Sequence, residues 1–223
     1  MAPGGYRTLA DLPLVIPVFP LPGALLLPRG SLPLNIFEPR YLNMVDDAMA
    51  GDRIIGMVQT VAGGERSRPT LANVGCLGRI TSFAETADGR YLITLTGVCR
   101  FRVGPELSSA TPYRQVRAVY GEFEFDLVEP ATPAGPASEA EDLMQALKAY
   151  LARKGLGLDW ETAVKAPWTT LVDSLSMALP FDPAEKQALI EADPGEARRA
   201  CLIALLRFDA AGGDEDDGPH RLQ

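Results

Sequence analysis

Histidine is nearly missing from this chain of 223 residues: there is one, His220, close to the C-terminus. The common nucleophilic arrangements need a base held within hydrogen-bond reach of the nucleophile. A lone histidine in a tail expected to be disordered cannot serve, which excludes Ser–His–Asp and Cys–His chemistry. Lysine is scarce as well. The first is Lys148, followed by Lys154, Lys165 and Lys186, all on segments of helical character. Lys148, Lys154 and Lys186 read as outward, solvated positions, which leaves a Ser–Lys dyad without a candidate. No Gly-Lys pair occurs, so there is no phosphate-cradling P-loop, and no G-x-S-x-G occurs either. The three cysteines, Cys76, Cys99 and Cys201, are widely spaced, with no C-x-x-C and no His/Cys cluster of zinc spacing. That pattern points to a reducing compartment and inert, buried thiols.

A long uninterrupted hydrophobic run is also lacking. The longest uncharged stretch near the N-terminus, Leu12–Pro28, spans seventeen residues but is broken by Pro13, Pro17, Pro20 and Pro22. A membrane-spanning helix needs about 20 apolar residues with every backbone group bonded, and each proline removes a donor. A signal peptide fits poorly too, since Arg7 is followed by Asp11 and the apolar run is broken. The expectation is a cytoplasmic protein with no membrane partner. Nor is there a basic stripe. The net charge is −8, with 12 basic against 13 acidic residues in 1–130, 8 against 11 in 131–208, and 1 against 5 in 209–223. The footprint that nucleic acid requires is missing.

What is present reads as short buried strands punctuated by prolines. Strands are expected at 12–18, 24–27 and 31–37, with tight links at Leu21-Pro22-Gly23 and Pro28-Arg29-Gly30. Glu38-Pro39 opens a helix, with proline at its first position and an acid at its positive end. Tyr41, Leu42, Val45, Ala48 and Met49 recur at helical spacing, and Gly51 ends it. Ile54–Val61 reads as a strand buried on both faces, 62–72 as a polar loop, and 75–103 as a hairpin turning at Ala87-Asp88-Gly89. Residues 113–128 alternate as a further strand. Beyond 131–137, a Pro/Ala-rich linker, the pattern becomes helical. Ser138-x-x-Glu141 is a capping box, Gly155 a stop, and Trp168, Leu171, Val172, Leu175 and Leu179 a stripe. Asp182-Pro183 and Asp193-Pro194 each place a cap before a first-turn proline. The chain is therefore expected as an α+β protein. It would have a flexible N-terminus (1–11), a β-rich part with one early helix (12–130), a linker (131–137), a bundle of about four helices (138–208) and a disordered acidic tail (209–223).

Among carboxylates, Asp46-Asp47 diverge by about 100° on a helix, which suits neither a metal pair nor acid–base work. Glu122, Glu124 and Asp126 are expected on one wet strand face opposite Phe123, Phe125 and Leu127. Phe37, Arg40 and Tyr41 have two readings. They pack the junction of strand and helix, or they line a groove for a partner's side chains, since aromatics and Arg are enriched at binding hot spots.

Two stretches resemble one family. VFPLPGALLLPRGSLPLNIFEPRYLNMVDDAMAGDRIIGMV (Val18–Val58) resembles the start of the substrate-recognition domain of Lon-type ATP-dependent proteases, above all the small stand-alone bacterial proteins built from it. F-P-L-P-G and I-F-E-P-R-Y are its distinctive parts. LPFDPAEKQALIEADPGEARRACLIALL (Leu179–Leu206) is similar to the helical segment that ends the same domain. The resemblance covers roughly residues 12–208. It implies a PUA-like pseudo-barrel followed by the helical bundle. It also implies a non-catalytic module that recruits proteins or unfolded, apolar polypeptide segments, with a separate protease as a further candidate partner. It supplies no catalytic, cofactor or metal residue. Phe19, Phe37, Arg40 and Tyr41, within the two N-terminal motifs, are the candidate peptide-binding residues. The alternative is RNA binding through the PUA-like barrel, against which the acidic balance argues.

Overall fold

The computed structural model describes residues 5–65, 68–128, 137–157 and 167–212. They form two compact units: those within Met1–Ala131 and Asp173–Glu191, and those within Thr132–Val172 and Ala192–Gln223. The expected linker (131–137) and acidic tail (209–223) lie largely outside the described residues, as do Lys165 and His220.

The first unit is built on six strands: β1 (Val15–Pro20), β2 (Ser31–Ile36), β3 (Ile54–Glu65), β4 (Arg68–Glu85), β5 (Tyr91–Glu106) and β6 (Arg114–Val119). Helix α1 (Pro39–Ala50) lies between β2 and β3 in the chain. The sheet order is β2-β5-β4-β3-β1-β6, and β6 also pairs with β5. That last pairing closes β5, β4, β3, β1 and β6 into a ring, the expected pseudo-barrel. Closure removes most free edges, which a sheet must otherwise protect. β1 and β3 run parallel, with Val18 opposite Gly56. A parallel pair needs a long crossover, and β2 with α1 supplies it. β5 is long enough to take β2 along Tyr91–Thr96 and β6 from Arg102 onward on the same edge.

The proline-broken N-terminal stretch is buried here. Ile16, Val18, Leu25, Leu26 and Leu27 are almost wholly enclosed. Pro17 and Pro20 sit in β1, and Pro33 in the edge strand β2, where a missing donor costs least. Residues 24–27 are not the strand expected of them. They run to a turn closed by Gly30 N–H to the Leu27 carbonyl at 2.9 Å. The turn is pinned to β5 at Gly97, which donates to the Gly30 carbonyl at 2.9 Å and accepts from Arg29 N–H at 2.8 Å. A Cβ at Gly97 would stand 1.9 Å from the Leu27 carbonyl oxygen, so only glycine fits. Residues 62–72, expected as a polar loop, are mostly the paired ends of β3 and β4, out to Glu65 opposite Arg68.

A second correction concerns 113–128. The strand stops at Val119, and Gly121–Leu127 form a 3-10 helix. The cause is Asp126. Its carboxylate accepts from Arg100 N–H at 2.9 Å, Nε at 3.0 Å and Nη2 at 3.3 Å, with both side chains fully enclosed. A strand would have held Asp126 beside Glu122 and Glu124 in water. Instead Glu122 pairs with Arg102 across 2.6 Å, and Phe125 of the expected inner set is exposed. Within the expected flexible N-terminus, Asp11 accepts from Arg7 and Thr8 N–H, each at 2.9 Å, and Arg79 of β4 donates to the Tyr6 hydroxyl at 3.1 Å.

The segment 173–191 belongs to this unit, although its sequence reads as part of a helical bundle. It holds the second half of α3 (Trp168–Ala178) and all of α4 (Pro183–Glu191), which packs on β3 and β4. Asp182 and Glu185 cap α4 reciprocally, at 2.8 and 2.9 Å, as their spacing predicts. Lys186 is not the outward lysine expected. It is 2% exposed, and its Nζ donates to the carbonyls of Ser176 at 2.8 Å and Met177 at 2.7 Å. These are end carbonyls of α3 that the helix cannot satisfy itself.

The second unit pairs α2 (Ala137–Lys154) with α5 (Glu196–Ala210). Leu143, Leu147, Tyr150 and Leu151 of α2 and Leu202 and Leu206 of α5 are buried. Asp209 is shared by Lys154 at 2.8 Å and Arg153 at 3.4 Å. Helix α2 begins one residue before Ser138, whose side chain lies outside the described set. α5 is capped by Gly195 at φ 88°, not by Asp193 as expected. Gly155, at φ 65°, ends α2 as predicted.

Candidate functional site

Glu38 and Pro39 start α1 where the sequence predicts, and this fixes what the first turn presents. Tyr41 turns inward, 5% exposed, and its ring meets Phe19 of β1 at a centroid separation of 4.3 Å and a tilt of 48°. Arg40 lies over the outer face of the same ring, its guanidinium carbon 4.5 Å from the centroid. Such cation–π contacts contribute about 0.5–1 kcal/mol at exposed sites. Glu38 holds the Arg40 Nη2 at 2.8 Å and Nε at 3.0 Å. Burial raises the Tyr41 phenol pKa above its ordinary value. Three of the four predicted residues are therefore stacked together. Phe37 is not among them: it is 63% exposed at the junction of β2 and α1 and takes no part in that stack.

Arg40 and Tyr41 form one wall of a cleft of about 620 Å³. The rest of the lining comes from Val18 and Pro20 of β1, the ends of β3, β4 and β5, the loop at 107–113 and the start of β6. The lining is rich in polar and charged groups: Glu65, Arg68, Glu106, Tyr113 and Arg114 all contribute. Glu106 is the hub. Arg114 meets it bidentately, Nε to Oε1 and Nη2 to Oε2, both at 2.9 Å. Arg68 reaches Oε1 at 2.8 Å. The hydrogen bonds from Arg114, with those from Arg68, hold the Glu106 carboxyl below the usual carboxylate range. Arg114 also donates to the Pro69 carbonyl at 2.6 Å, which fixes its guanidinium. Glu106, Arg114, Arg68 and Tyr113 were not singled out by the sequence reading. The one signal available was an opposite-charge pair, Glu106 and Arg114, flanking the connection between two strands.

The remaining expectations resolve into packing. Asp47 accepts from the Tyr113 hydroxyl at 2.6 Å, and the Tyr91 hydroxyl bonds Asp46. The two aspartates, both exposed, thus tie α1 to the start of β5 and to the loop before β6. Burial, with the Asp47 carboxylate, pushes the Tyr113 phenol up to about 12. Cys76 and Cys99 are buried and free; Cys201 is half-buried. Burial drives the Cys99 thiol up to about 12 and Cys76 well above its normal range, so both stay protonated and unreactive. Among the described residues no group of three or more His, Cys, Asp or Glu is placed to hold a metal ion. Nor is any helix among them long and apolar enough to cross a membrane.

Comparison with known proteins gives this cleft its setting. The sequence profile of the ATP-dependent protease La (LON) substrate-binding domain matches residues 15–207. Lon protease 2 of Myxococcus xanthus is 31% identical over 92% of the chain, and Lon protease of Anaeromyxobacter dehalogenans 28% identical over 92%. The chain spans about a quarter of the length of those two relatives, 25% and 24%. The crystal structure of a Lon N-terminal domain protein from Xanthomonas campestris superposes with a TM-score of 0.61 at 21% identity, covering 85% of this chain and 97% of that one. The N-terminal domain of Mycobacterium avium complex Lon protease gives 0.60 at 18% identity, covering 89% and 98%. The fold is thus the Lon N-terminal fold, and the chain belongs to the Lon substrate-binding domain family.

Proposed function

We propose that this chain is a non-catalytic, cytoplasmic polypeptide-binding module, and that the cleft beside Tyr41 receives exposed segments of the proteins it recruits. The observation that carries the reading is the cleft itself: about 620 Å³ of open space lined by the predicted Arg40 and Tyr41 together with residues of β5 and β6. Tyr41, propped from behind by Phe19, presents a rigid edge at low entropic cost. Exposed Phe37 supplies an apolar contact outside the cleft for side chains the segment leaves there. At about 25 cal/mol per Å², a few hundred Å² of apolar burial yields several kcal/mol before association costs. That favours weak, broad binding, as a recruiter for a separate protease needs.

The test is a calorimetric titration of the full chain with a permanently unfolded polypeptide and, in parallel, with its folded parent. Saturable binding of the unfolded form alone, in the micromolar range, supports the reading. An absence of heat up to high micromolar concentration at two well-separated temperatures rules it out.

A further inference from the structure

One carboxylate in the cleft faces two guanidinium groups. Glu106 is gripped by Arg114 through both oxygens at 2.9 Å and touched by Arg68 at 2.8 Å. Arg114 and Glu106 are largely enclosed, with side-chain exposures of 20% and 23%, whereas Arg68 is 64% exposed. Across the lining, Arg40, Arg68 and Arg114 outnumber Glu65 and Glu106. Glu38 also holds Arg40, so the charges around the cleft balance, on a chain whose net charge is −8.

We propose that Arg68, backed by the fixed Arg114–Glu106 pair, is a carboxylate subsite: it takes an acidic side chain or a free C-terminal carboxylate of the bound segment. This rests on the reading of the cleft as the polypeptide site. Arg68 leaves Glu106 for the incoming carboxylate, and Glu106 keeps its bidentate hold on Arg114. Every charge is then paired, so the exchange leaves no buried ion orphaned. A guanidinium offers a carboxylate two parallel donors, a geometry lysine lacks.

The experiment is fluorescence anisotropy of the full chain with three labelled peptides sharing one apolar core. One carries an internal Glu and an amidated end, one Gln and an amidated end, and one Gln and a free C-terminus. At least one acid-bearing peptide binds about tenfold tighter than the neutral one, the scale of a charge-assisted contact; which one identifies the source of the carboxylate. Arg68→Gln, at an exposed position, erases that preference. Glu106→Gln, which releases both guanidinium groups, widens it. Equal affinity of all three peptides overturns the subsite while leaving the polypeptide reading standing. So does a Glu106→Gln variant that weakens the acidic peptides as Arg68→Gln does, since that marks a purely structural pair. Failure of all three to bind at high micromolar concentration overturns the polypeptide reading and the subsite with it.

Discussion

Arg100 of β5 and Asp126 of the 3-10 helix form an ion pair with no side-chain exposure on either partner, their Nε and Oδ2 3.0 Å apart. The guanidinium also donates through Nη1 to the Ile190 carbonyl at 3.0 Å and lies 4.7 Å from the centre of the Phe123 ring. One side chain thereby joins the barrel, the helix that follows β6 and the C-terminal end of α4. Removing one partner of such a pair leaves the other charge buried and uncompensated, at a cost of about 3–5 kcal/mol. Arg100→Met is therefore expected to lower the unfolding free energy by about that much, and Arg100→Met with Asp126→Leu by clearly less. Urea denaturation followed by near-ultraviolet circular dichroism decides it. A single variant as stable as the parent contradicts the role assigned to the pair.

Gly97 marks where the 24–30 segment meets β5. A methyl group there would collide with the Leu27 carbonyl, a backbone atom that cannot rotate away. Gly97→Ala is expected to cost about 3 kcal/mol, at the upper end for overpacking. A thermal melt of the soluble variant gives the answer, and an unchanged midpoint would mean that the 24–30 turn does not sit against β5 as described.

Local signals in the sequence were legible, and long-range ones were not. Glu38-Pro39 opens α1, Ala87-Asp88-Gly89 turns the β4–β5 hairpin, and Asp182 with Glu185 caps α4, because each of these is settled within a few residues. Asp126 was misread because its partner, Arg100, lies 26 positions away, and alternation alone assigns it to water. Lys186 was legible in principle: it precedes buried Leu189 and Ile190 by three and four residues, on one helix face. Its charge argued the other way, and only the carbonyls at the end of α3 explain its burial. In the cleft, the place of Arg40 and Tyr41 in the first turn of α1 follows from the local Glu38-Pro39 start. The rest of the lining was harder to read, since Arg68, Glu106 and Arg114 come from three strands and only the Glu106–Arg114 charge pair lies close in sequence.

Lys186 also makes stability depend on pH. Burial lowers its pKa from 10.5 to about 8. Between those values the unfolded chain binds the proton and the folded chain has lost it, so this group makes stability rise as pH rises from about 8 to 10.5. The full contribution is about 3 kcal/mol, at about 1.4 kcal/mol per unit. The buried cysteines act in the opposite direction, because their raised pKa values keep the folded state protonated where the unfolded state ionises. The informative quantity is thus the difference between parent and Lys186→Met across that window. The parent gains stability relative to the variant as pH rises. A flat difference would show that the ammonium is solvated or fully compensated by the Ser176 and Met177 carbonyls.

Phe37 separates binding from stability at the proposed site. At 63% exposure, with no part in the Phe19–Tyr41 stack, its side chain contributes little to folding. Phe37→Ser is expected to change the unfolding free energy by less than about 0.5 kcal/mol. If the ring covers part of a bound segment, its loss removes about 1–2 kcal/mol of apolar contact, a five- to thirtyfold weaker Kd for unfolded polypeptide. Tyr41→Ala behaves differently. It cuts a buried ring away from Phe19 and Arg40, so stability falls by about 3 kcal/mol and binding falls with it. The two variants measured side by side, by denaturation and by titration, distinguish a recognition surface from a core. Should Phe37→Ser bind as the parent does, the apolar contact outside the cleft is not part of the site, and recognition is confined to the walls between Arg40 and Arg114.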